Sequence, residues 1–255
     1  MNTADKRRFG GISRLFGEKG FETLQNAHVV VMGLGGVGSW VAEALARTAI
    51  GHLTLIDGDT VEESNTNRQM PALEGQYGRM KADVMAERLR AINPQAQIDI
   101  VKTFVKAETM DELIPECDVI VDAIDSLKDK VALIAYAKAR ATPVIVSGGA
   151  GGKIDCMAVR CGDLARVIGD PLIGAVRNRL RKEYGFPRGA TKVQDSKRFG
   201  IEAVYSDETV KPSQDGGDGF GVFVGVTATF GMLLAQRAVL QVLSKQKALD
   251  SSSEN

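Results

Sequence analysis

The sequence predicts an α/β protein with a doubly wound, mainly parallel sheet. Two observations lead to this class: short apolar runs alternate with helical patterns, and a glycine-rich loop directly follows the first run. A content of 44% hydrophobic and 25% charged residues is ordinary for a soluble globular chain of 255 residues. We therefore expect a Rossmann-like architecture in which helices cover both faces of the sheet.

The predicted strands are short apolar runs bounded by glycine, proline or polar residues. They cover residues 29–32, 53–56, 97–102, 119–121 and 144–146. In the third run Ile98 and Ile100 alternate with polar neighbours, which predicts a strand with one exposed face. Helical spacing of apolar residues predicts helices over residues 39–49, 80–92 and 127–140. Ser39 is placed to cap the first helix, and the pair Asn93-Pro94 ends the second.

The character of the chain changes near residue 150, which predicts two parts of one globular unit. Residues 1–150 are expected to form the Rossmann-like core with an N-terminal helical arm, and residues 151–255 a C-terminal extension. A glycine-rich turn, GGAGGKID, lies at 148–155 on this border. Beyond it the sequence predicts a strand at 157–160, a basic helix at 171–183, a polar crossover segment at 184–218 and a closing helix at 222–243.

Charge and cysteine content favour the cytoplasm. Basic and acidic residues number 32 each, so net charge indicates no partner. The three cysteines form no CxxC pair, and the N-terminus lacks the apolar core of a signal peptide. An uncharged stretch at 219–235 is 17 residues long, fewer than the roughly 20 that span a bilayer. We interpret it as a buried core or dimer-interface helix, with membrane association through 219–243 as the alternative.

The glycine loop predicts a phosphate-binding site. Gly33, Gly35 and Gly38 match the pattern G-x-G-x-x-G between a predicted strand and a predicted helix, and Gly36 lies within the same loop. Glycines let the backbone approach phosphate oxygens, and the helix N-terminus offers free N–H groups. Asp57 ends the second strand, where a carboxylate can bind ribose hydroxyls. An NAD-binding oxidoreductase would also satisfy this pattern.

Polar residues beyond Asp57 favour a nucleoside triphosphate over NAD. Asn65, Arg68 and Gln69 supply donors, and Lys81 opens the next helix, so an arginine and a lysine converge on one nucleotide. Asp125 follows the strand at 119–121, at the sheet edge where ligands bind, and is a candidate Mg²⁺ ligand. Each residue taken singly has an ordinary alternative. The basic side chains could be solvated surface charges. Asp125 could be the N-cap of the following helix, and Asn65 could be a turn former.

Together these residues resemble a known superfamily. The segments GLGGVGS, LIDGDTVEESNTNRQ and DAIDS, with Lys81, are similar to those of the ubiquitin-activating enzymes and the bacterial adenylyltransferases of molybdopterin and thiamine biosynthesis. The resemblance implies a homodimer that binds ATP and Mg²⁺ and transfers AMP to a carboxylate. By it, Asp57 holds the ribose, Asn65, Arg68 and Lys81 contact phosphates, and Asp125 positions the metal.

The N-terminal arm departs from the superfamily pattern. Its members carry an arginine motif, RY-x-RQ, which reaches the γ-phosphate across the dimer. This chain reads Arg8-Phe9-Gly10-Gly11, so the second arginine is missing. The resemblance then leaves Arg14 or Arg7 as the substitute.

Features outside the loop narrow the choice to one branch. The chain lacks the two CxxC pairs that bind zinc in sulfur-carrier adenylyltransferases, and residues 162–255 hold no cysteine for a thioester. The segments RRFGGISRLFGEKGFETLQ and SGGAGGKID and the basic stretch at 166–198 are similar to the tRNA threonylcarbamoyladenosine dehydratases. That branch implies ATP-dependent cyclisation of a modified adenosine beside the anticodon. Adenylation of its threonyl carboxylate would be followed by intramolecular ring closure, which needs no enzyme cysteine.

The basic segment is a candidate tRNA-binding surface. Residues 163–198 hold nine basic and four acidic residues. The candidates for contacting tRNA phosphates are Arg177, Arg179, Arg181, Lys182, Arg188 and Lys192, and a solvated helix face is the alternative. Tyr184, Phe186 and Phe199 are candidates for base stacking, with core packing expected for at least one of them.

Three rival functions and two partners stay open at the level of sequence. The rivals are a carrier-protein adenylyltransferase that activates a C-terminal glycine, an NAD-dependent oxidoreductase, and a non-enzymatic tRNA-binding or membrane-associated scaffold. The sequence also leaves open whether a monovalent cation binds near the turn at 148–152. The same holds for a cysteine desulfurase or sulfur-acceptor system, which is linked to some superfamily members.

Overall fold

A single seven-stranded sheet organises the protein. The structure is a computed structural model that describes residues 3–214 and 219–253. The strands are β1 (His28–Met32), β2 (His52–Ile56), β3 (Gln97–Val101), β4 (Val119–Asp122), β5 (Val144–Ser147), β6 (Val159–Asp163) and β7 (Glu202–Ser206). They lie in the order β3-β2-β1-β4-β5-β7-β6, and every neighbouring pair is parallel except β6 and β7. The predicted doubly wound, mainly parallel sheet is therefore confirmed.

Helices cover both faces of the sheet, because alternate strand residues face two separate apolar cores. The helices are α1 (Thr3–Asn26), α2 (Gly38–Arg47), α3 (Lys81–Ile92), α4 (Met110–Leu113), α5 (Leu127–Ala139), α6 (Pro171–Glu183) and α7 (Val224–Ser253). Val29 and Val31 of β1 pack in one core with α2, α3 and α7. Val30 and Met32 pack in the other core with α5 and α6.

Two expectations for the C-terminal part were wrong in detail. The segment at 184–218 is more than a crossover, because it contains the strand β7, which pairs with both β5 and β6. Its partners lie tens of residues away in sequence, so local composition gave no signal for it. The strand expected at 157–160 begins at Val159, after a short 3-10 turn at Cys156–Ala158. Residues 215–218 of the predicted crossover lie outside the described residues.

The expected cap of α2 was also wrong. Val37 is the N-cap, and Ser39 lies inside the first turn. The Ser39 hydroxyl donates to the carbonyl of Gly35 over 2.7 Å and accepts from the backbone N–H of Met70 over 3.2 Å. Ser39 thus fastens the segment that carries Arg68 and Gln69 to the glycine loop.

The closing helix α7 is built into the fold. The stretch Val224–Gln246 is long and apolar enough to cross a membrane, but half of its most apolar window is buried inside the protein. Phe230 and Leu234 are fully buried in the core that α7 shares with α2. A Cβ atom on Gly231 would lie 2.6 Å from Cβ of Trp40, so this glycine allows the two helices to approach closely. The strand pairing of β7 and the burial of α7 join the C-terminal extension to the Rossmann-like core.

Candidate nucleotide-binding and active site

The glycine loop lies at the carboxyl edge of the sheet, between β1 and α2. Gly33 has a φ of 85°, and a Cβ atom there would lie 2.9 Å from the carbonyl oxygen of Ala123. A Cβ atom on Gly38 would lie 1.8 Å from the carbonyl oxygen of Gly33. Side chains are thus excluded at both positions, which leaves backbone N–H groups and the N-terminus of α2 facing a ligand.

Asp57 follows β2 and reaches back to this loop. Its carboxylate accepts from the backbone N–H of Leu34 over 2.6 Å and from that of Asp59 over 2.7 Å. Burial raises the pKa of the Asp57 carboxyl, although these N–H groups and the ammonium of Lys81 oppose the shift. The predicted ribose ligand is therefore held beside the predicted phosphate site.

Arg68 lies directly over the glycine loop. A Cβ atom on Gly36 would lie 3.2 Å from Cγ of Arg68, and the backbone carbonyl of Arg68 accepts from the indole N–H of Trp40 over 3.1 Å. The Arg68 guanidinium donates to the carbonyl of Ser64 and to Oδ1 of Asn67, each over 2.8 Å. Arg68 is only partly buried, so a phosphate at the loop could reach its remaining guanidinium donors.

Asn65 and Gln69 flank Arg68 and are both buried. The Asn65 side chain accepts from the backbone N–H of Glu62 over 3.2 Å, so it closes the turn that presents Arg68. Oε1 of Gln69 is buried and has no hydrogen-bond partner within the described residues. An orphaned acceptor beside a glycine loop suits a ligand that brings a donor, such as a ribose hydroxyl or an adenine amine.

Lys81 is the first residue of α3, as predicted, and its side chain is only 7% exposed. Its ammonium lies 3.0 Å from Oδ2 of Asp59, two residues beyond Asp57. The backbone N–H of Lys81 also donates to the carbonyl of Asp59 over 3.0 Å. Two bonds between the same residues fix a buried positive charge near the ribose carboxylate.

Asp125 lies in the loop between β4 and α5, which contacts the glycine loop through Ala123. The N-cap of α5 is Ser126, whose hydroxyl accepts from the backbone N–H of Asp129, so the alternative role of Asp125 as a cap was wrong. Asp125 is exposed and has no hydrogen bond or ion pair within residues 3–214 and 219–253. The loop itself is held by Asp122, which pairs with Lys130 over 2.9 Å. Asp125 is therefore free to bind a cation.

A family model described as the ThiF family matches residues 11–253. The chain belongs to the ThiF family. The tRNA threonylcarbamoyladenosine dehydratase of Escherichia coli (strain K12) is 41% identical to it, over 96% of this chain and 97% of that protein. The solved structure of E. coli tRNA N6-threonylcarbamoyladenosine dehydratase, TcdA, in complex with ATP has a TM-score of 0.89 at 41% identity, covering 97% of this chain and 98% of that one. The molybdopterin-synthase adenylyltransferase of E. coli is 34% identical over only 54% of this chain and 55% of that protein.

Arg14 does not join the nucleotide site of its own ThiF-family chain. It is an exposed residue of α1, which packs at the amino edge of the sheet, opposite the glycine loop. There the carbonyl of Leu24 accepts from the N–H of Gly51, and Phe9 and Phe21 pack on Ala49 at the end of α2. A contact between Arg14 and a nucleotide therefore requires a second subunit, and it stays a prediction.

The basic segment divides into partly buried arginines that bond to other groups of the protein and fully exposed charges. Arg177 donates to the carbonyl of Val167 over 2.7 Å, and Arg181 donates to that of Pro187 over 3.0 Å and lies over the ring of Phe199. Arg179 pairs with Glu183 over 2.9 Å. Because of these contacts, the three predicted tRNA-binding arginines Arg177, Arg179 and Arg181 have fewer free donors and less unpaired charge for a polyanion. The exposed basic residues are Lys182, Arg188, Lys192, Lys197 and Arg198.

The aromatic residues beside this segment also divide. Phe199 is buried and packs edge-on against Phe186, with ring centroids 4.8 Å apart, so core packing is confirmed for Phe199. Tyr184 stays 46% exposed at the C-terminal end of α6. It remains the one of the three whose ring is open to a base.

Phe104 lies beside the candidate ribose ligand, and the sequence analysis did not single it out. It is 57% exposed, and a Cβ atom on Gly58 would lie 2.8 Å from its ring, so the ring lies against the residue after Asp57. In this type of fold the base of a nucleotide lies beyond the ribose carboxylate. An exposed phenylalanine just after the amphipathic strand β3 was the available signal.

Proposed function

We propose that this ThiF-family protein is an ATP-dependent enzyme that cyclises N6-threonylcarbamoyladenosine in tRNA by dehydration. The observation that carries the proposal is its similarity, over nearly the whole length of both chains, to a tRNA threonylcarbamoyladenosine dehydratase. The geometry supports it independently, because Arg68 and Lys81 bring two cations to a glycine loop beside a ribose carboxylate. A triphosphate carries more negative charge than the single pyrophosphate of NAD, so it makes fuller use of two cations.

The chemistry proceeds in two steps. The threonyl carboxylate is a poor electrophile, since its leaving group would be oxide. One of its oxygens attacks the α-phosphorus of ATP, and the bond to the bridging oxygen breaks to release pyrophosphate. A ureido oxygen or nitrogen of the same side chain then attacks the acyl carbon and expels AMP. The second step is intramolecular and gains from proximity.

The residues of the site divide this work. Backbone N–H groups of the glycine loop bind phosphate oxygens, and Asp57 binds the ribose. Arg68, with Lys81, stabilises the charge that develops as pyrophosphate leaves. Asp125 is proposed to hold Mg²⁺, which would neutralise phosphate charge when bound. Asn65 and Gln69 shape the pocket around the nucleotide, and Phe104 faces the adenine.

The proposal includes a homodimer, because Arg14 can meet a nucleotide only in a second subunit. The proposed location is the cytoplasm, with α7 serving as a core helix. A monovalent cation near the turn at 148–152 and a sulfur-transfer partner stay hypotheses that no contact within the described residues supports. The runner-up is an adenylyltransferase for a carrier protein, supported by a relative that matches only about half of the chain.

Turnover with modified tRNA tests the function. Purified protein with ATP and Mg²⁺ is expected to release pyrophosphate and AMP in equal amounts and to convert the modified nucleoside into a product one water lighter by mass spectrometry. A carrier protein ending in Gly-Gly should give no pyrophosphate. Release with the carrier alone would instead identify the runner-up, and binding of NAD in preference to ATP would refute both.

The exposed basic residues are expected to dock the tRNA. Replacing Lys182, Arg188 and Lys192 together by Gln should weaken tRNA binding and lower the slope of log K against log salt by about 2. The matched control replaces Arg140 and Lys245 by Gln. These two basic side chains lie at the amino edge of the sheet and pair with Asp111 and Asp118. Filter binding between 50 and 200 mM salt, a range typical for such slopes, measures both variants. An unchanged slope in the triple variant would show that tRNA docks elsewhere.

A further inference from the structure

A buried ion pair lies at the carboxyl edge of the sheet, on residues that the proposed nucleotide site does not use. The ammonium of Lys153 lies 3.3 Å from Oδ2 of Asp170 and donates to the carbonyl of Ser206 over 3.0 Å. The side chains are 1% and 0% exposed. Burying a charge costs folding free energy unless the charge is paired and fully hydrogen-bonded. This pair therefore depends on its hydrogen-bond partners.

The pair joins three segments at the carboxyl edge of the sheet. Lys153 ends the glycine turn that follows β5, Asp170 is the N-cap of α6, and Ser206 ends β7. Oδ1 of Asp170 caps α6 by accepting from the backbone N–H of Ile173, and Oδ2 accepts from that of Gly149, each over 3.0 Å. One carboxylate therefore holds both the start of the basic helix and the glycine turn.

The fit between the turn and Asp170 is close. A Cβ atom on Gly148 would lie 2.4 Å from Oδ2 of Asp170, so the turn can approach the carboxylate only because this residue is glycine. Gly152 bonds to two later segments: its carbonyl accepts from the N–H of Lys211 in the crossover over 2.7 Å, and its N–H donates to the carbonyl of Gly221, just before α7, over 2.8 Å. The turn is thus fixed on the side of α6 and on the side of the crossover.

The glycine turn that Lys153 and Asp170 hold lies at the same sheet edge as the proposed nucleotide site. The strand β5 is the neighbour of β4, and the loop after β4 carries Asp125. The turn at 148–153 therefore lines the same edge as the metal end of the nucleotide site. The helix α6, whose last turn leads to Lys182 and the exposed basic residues, starts at Asp170.

We propose that Lys153 and Asp170 are positioning residues that fix α6, which leads into the exposed basic surface, to the glycine turn at the sheet edge where the proposed active site lies. A tRNA held on the basic surface then presents its carboxylate at a set distance from the α-phosphate. This inference rests on the proposed function. A displacement of about 1 Å far from the chemistry can lower a rate by about 100-fold, so such a link controls turnover more than binding.

The test replaces the pair and measures binding and turnover separately. The variant Lys153→Met with Asp170→Asn removes both charges together, keeps an N-cap side chain on α6 and leaves no unpaired buried ion. We expect its affinities for ATP and for modified tRNA to stay close to those of the unaltered protein, while kcat for cyclisation falls by about 10- to 100-fold.

The control removes another ion pair of the same region. Arg160 of β6 pairs with Asp207 over 2.7 Å, close to the end of β7 but without contact to the glycine turn. Arg160→Met should leave kcat unchanged. Equal kcat in the double variant and the unaltered protein would overturn the inference, as would a parallel loss of ATP affinity and thermal stability, which indicates a general scaffold role. Absence of cyclisation by the unaltered protein would instead refute the proposed function.

Discussion

Asp125→Ala is expected to lower the rate of cyclisation by at least about 100-fold while tRNA binding stays within about twofold. The reason is that Asp125 is an exposed carboxylate without an internal partner in the described residues, on the loop that contacts the glycine loop. Ser126 caps α5, so removing the Asp125 carboxylate should not destabilise the helix. Single-turnover release of pyrophosphate, followed over a titration with Mg²⁺, measures the effect.

The matched control for this variant is Asp111→Ala. Asp111 is also an exposed carboxylate, but it pairs with Arg140 at the amino edge of the sheet, far from the nucleotide site. The Asp111→Ala variant should cyclise its substrate at the rate of the unaltered protein. Substantial turnover by Asp125→Ala at saturating Mg²⁺ would show that this carboxylate is not the metal ligand.

Arg68→Ala should lower kcat/KM for adenylation by about 100- to 1,000-fold, the range measured when one charge-stabilising donor is removed. The aliphatic part of the Arg68 side chain lies over Gly36, which brings this arginine to the loop that is proposed to hold the phosphates. Arg68→Lys should recover only part of this loss, because an ammonium cannot replace the planar fork of a guanidinium. Pyrophosphate release at varied ATP concentration separates an effect on kcat from one on KM.

Arg79→Ala is the control for general loss of charge in this part of the chain. Arg79 is bonded to Gln76 and Glu87 and lies two residues before Lys81, outside the glycine loop. A comparable loss of kcat/KM in Arg68→Ala and Arg79→Ala would mean that Arg68 acts by holding the local fold and does not stabilise charge on the nucleotide. Unfolding midpoints of the two variants identify that case directly, because Arg68 also donates to Ser64 and Asn67.

The clustering of the candidate nucleotide-site residues was predictable from sequence because their signals are local. Gly33 and Gly38 follow a strand within a few residues, and Asp57 and Lys81 each stand at the end of a predicted element. The basic segment was predictable only as composition. Whether Arg177 and Arg181 face solvent or donate to carbonyls at Val167 and Pro187 depends on how α6 packs, and helical spacing does not contain that information.

Elements with distant partners account for the remaining differences. The strand β7 exists because β5 and β6 supply its hydrogen bonds, and Ser39 bonds to Met70 in place of capping its own helix. Phe104 lies next to the candidate site because Gly58, which has no side chain, leaves space for its ring. In each case the deciding contact lies far away in sequence, so local propensity is overridden by tertiary packing.

The sequence by itself determined the α/β class, and it predicted a phosphate-binding loop with two basic residues close to it. Those features depend on residue type at short spacing, where the backbone geometry of a strand, a turn and a helix start is already fixed. The tertiary structure decided which charged side chains are open to a ligand and which are paired with other groups of the protein. It freed Asp125 by placing Ser126 at the cap, buried Lys153 against Asp170, and left Arg14 at the opposite edge of the sheet from the site that it was predicted to serve. A charge acts on a ligand or on its own protein according to what packs beside it, and only the assembled fold specifies that neighbour.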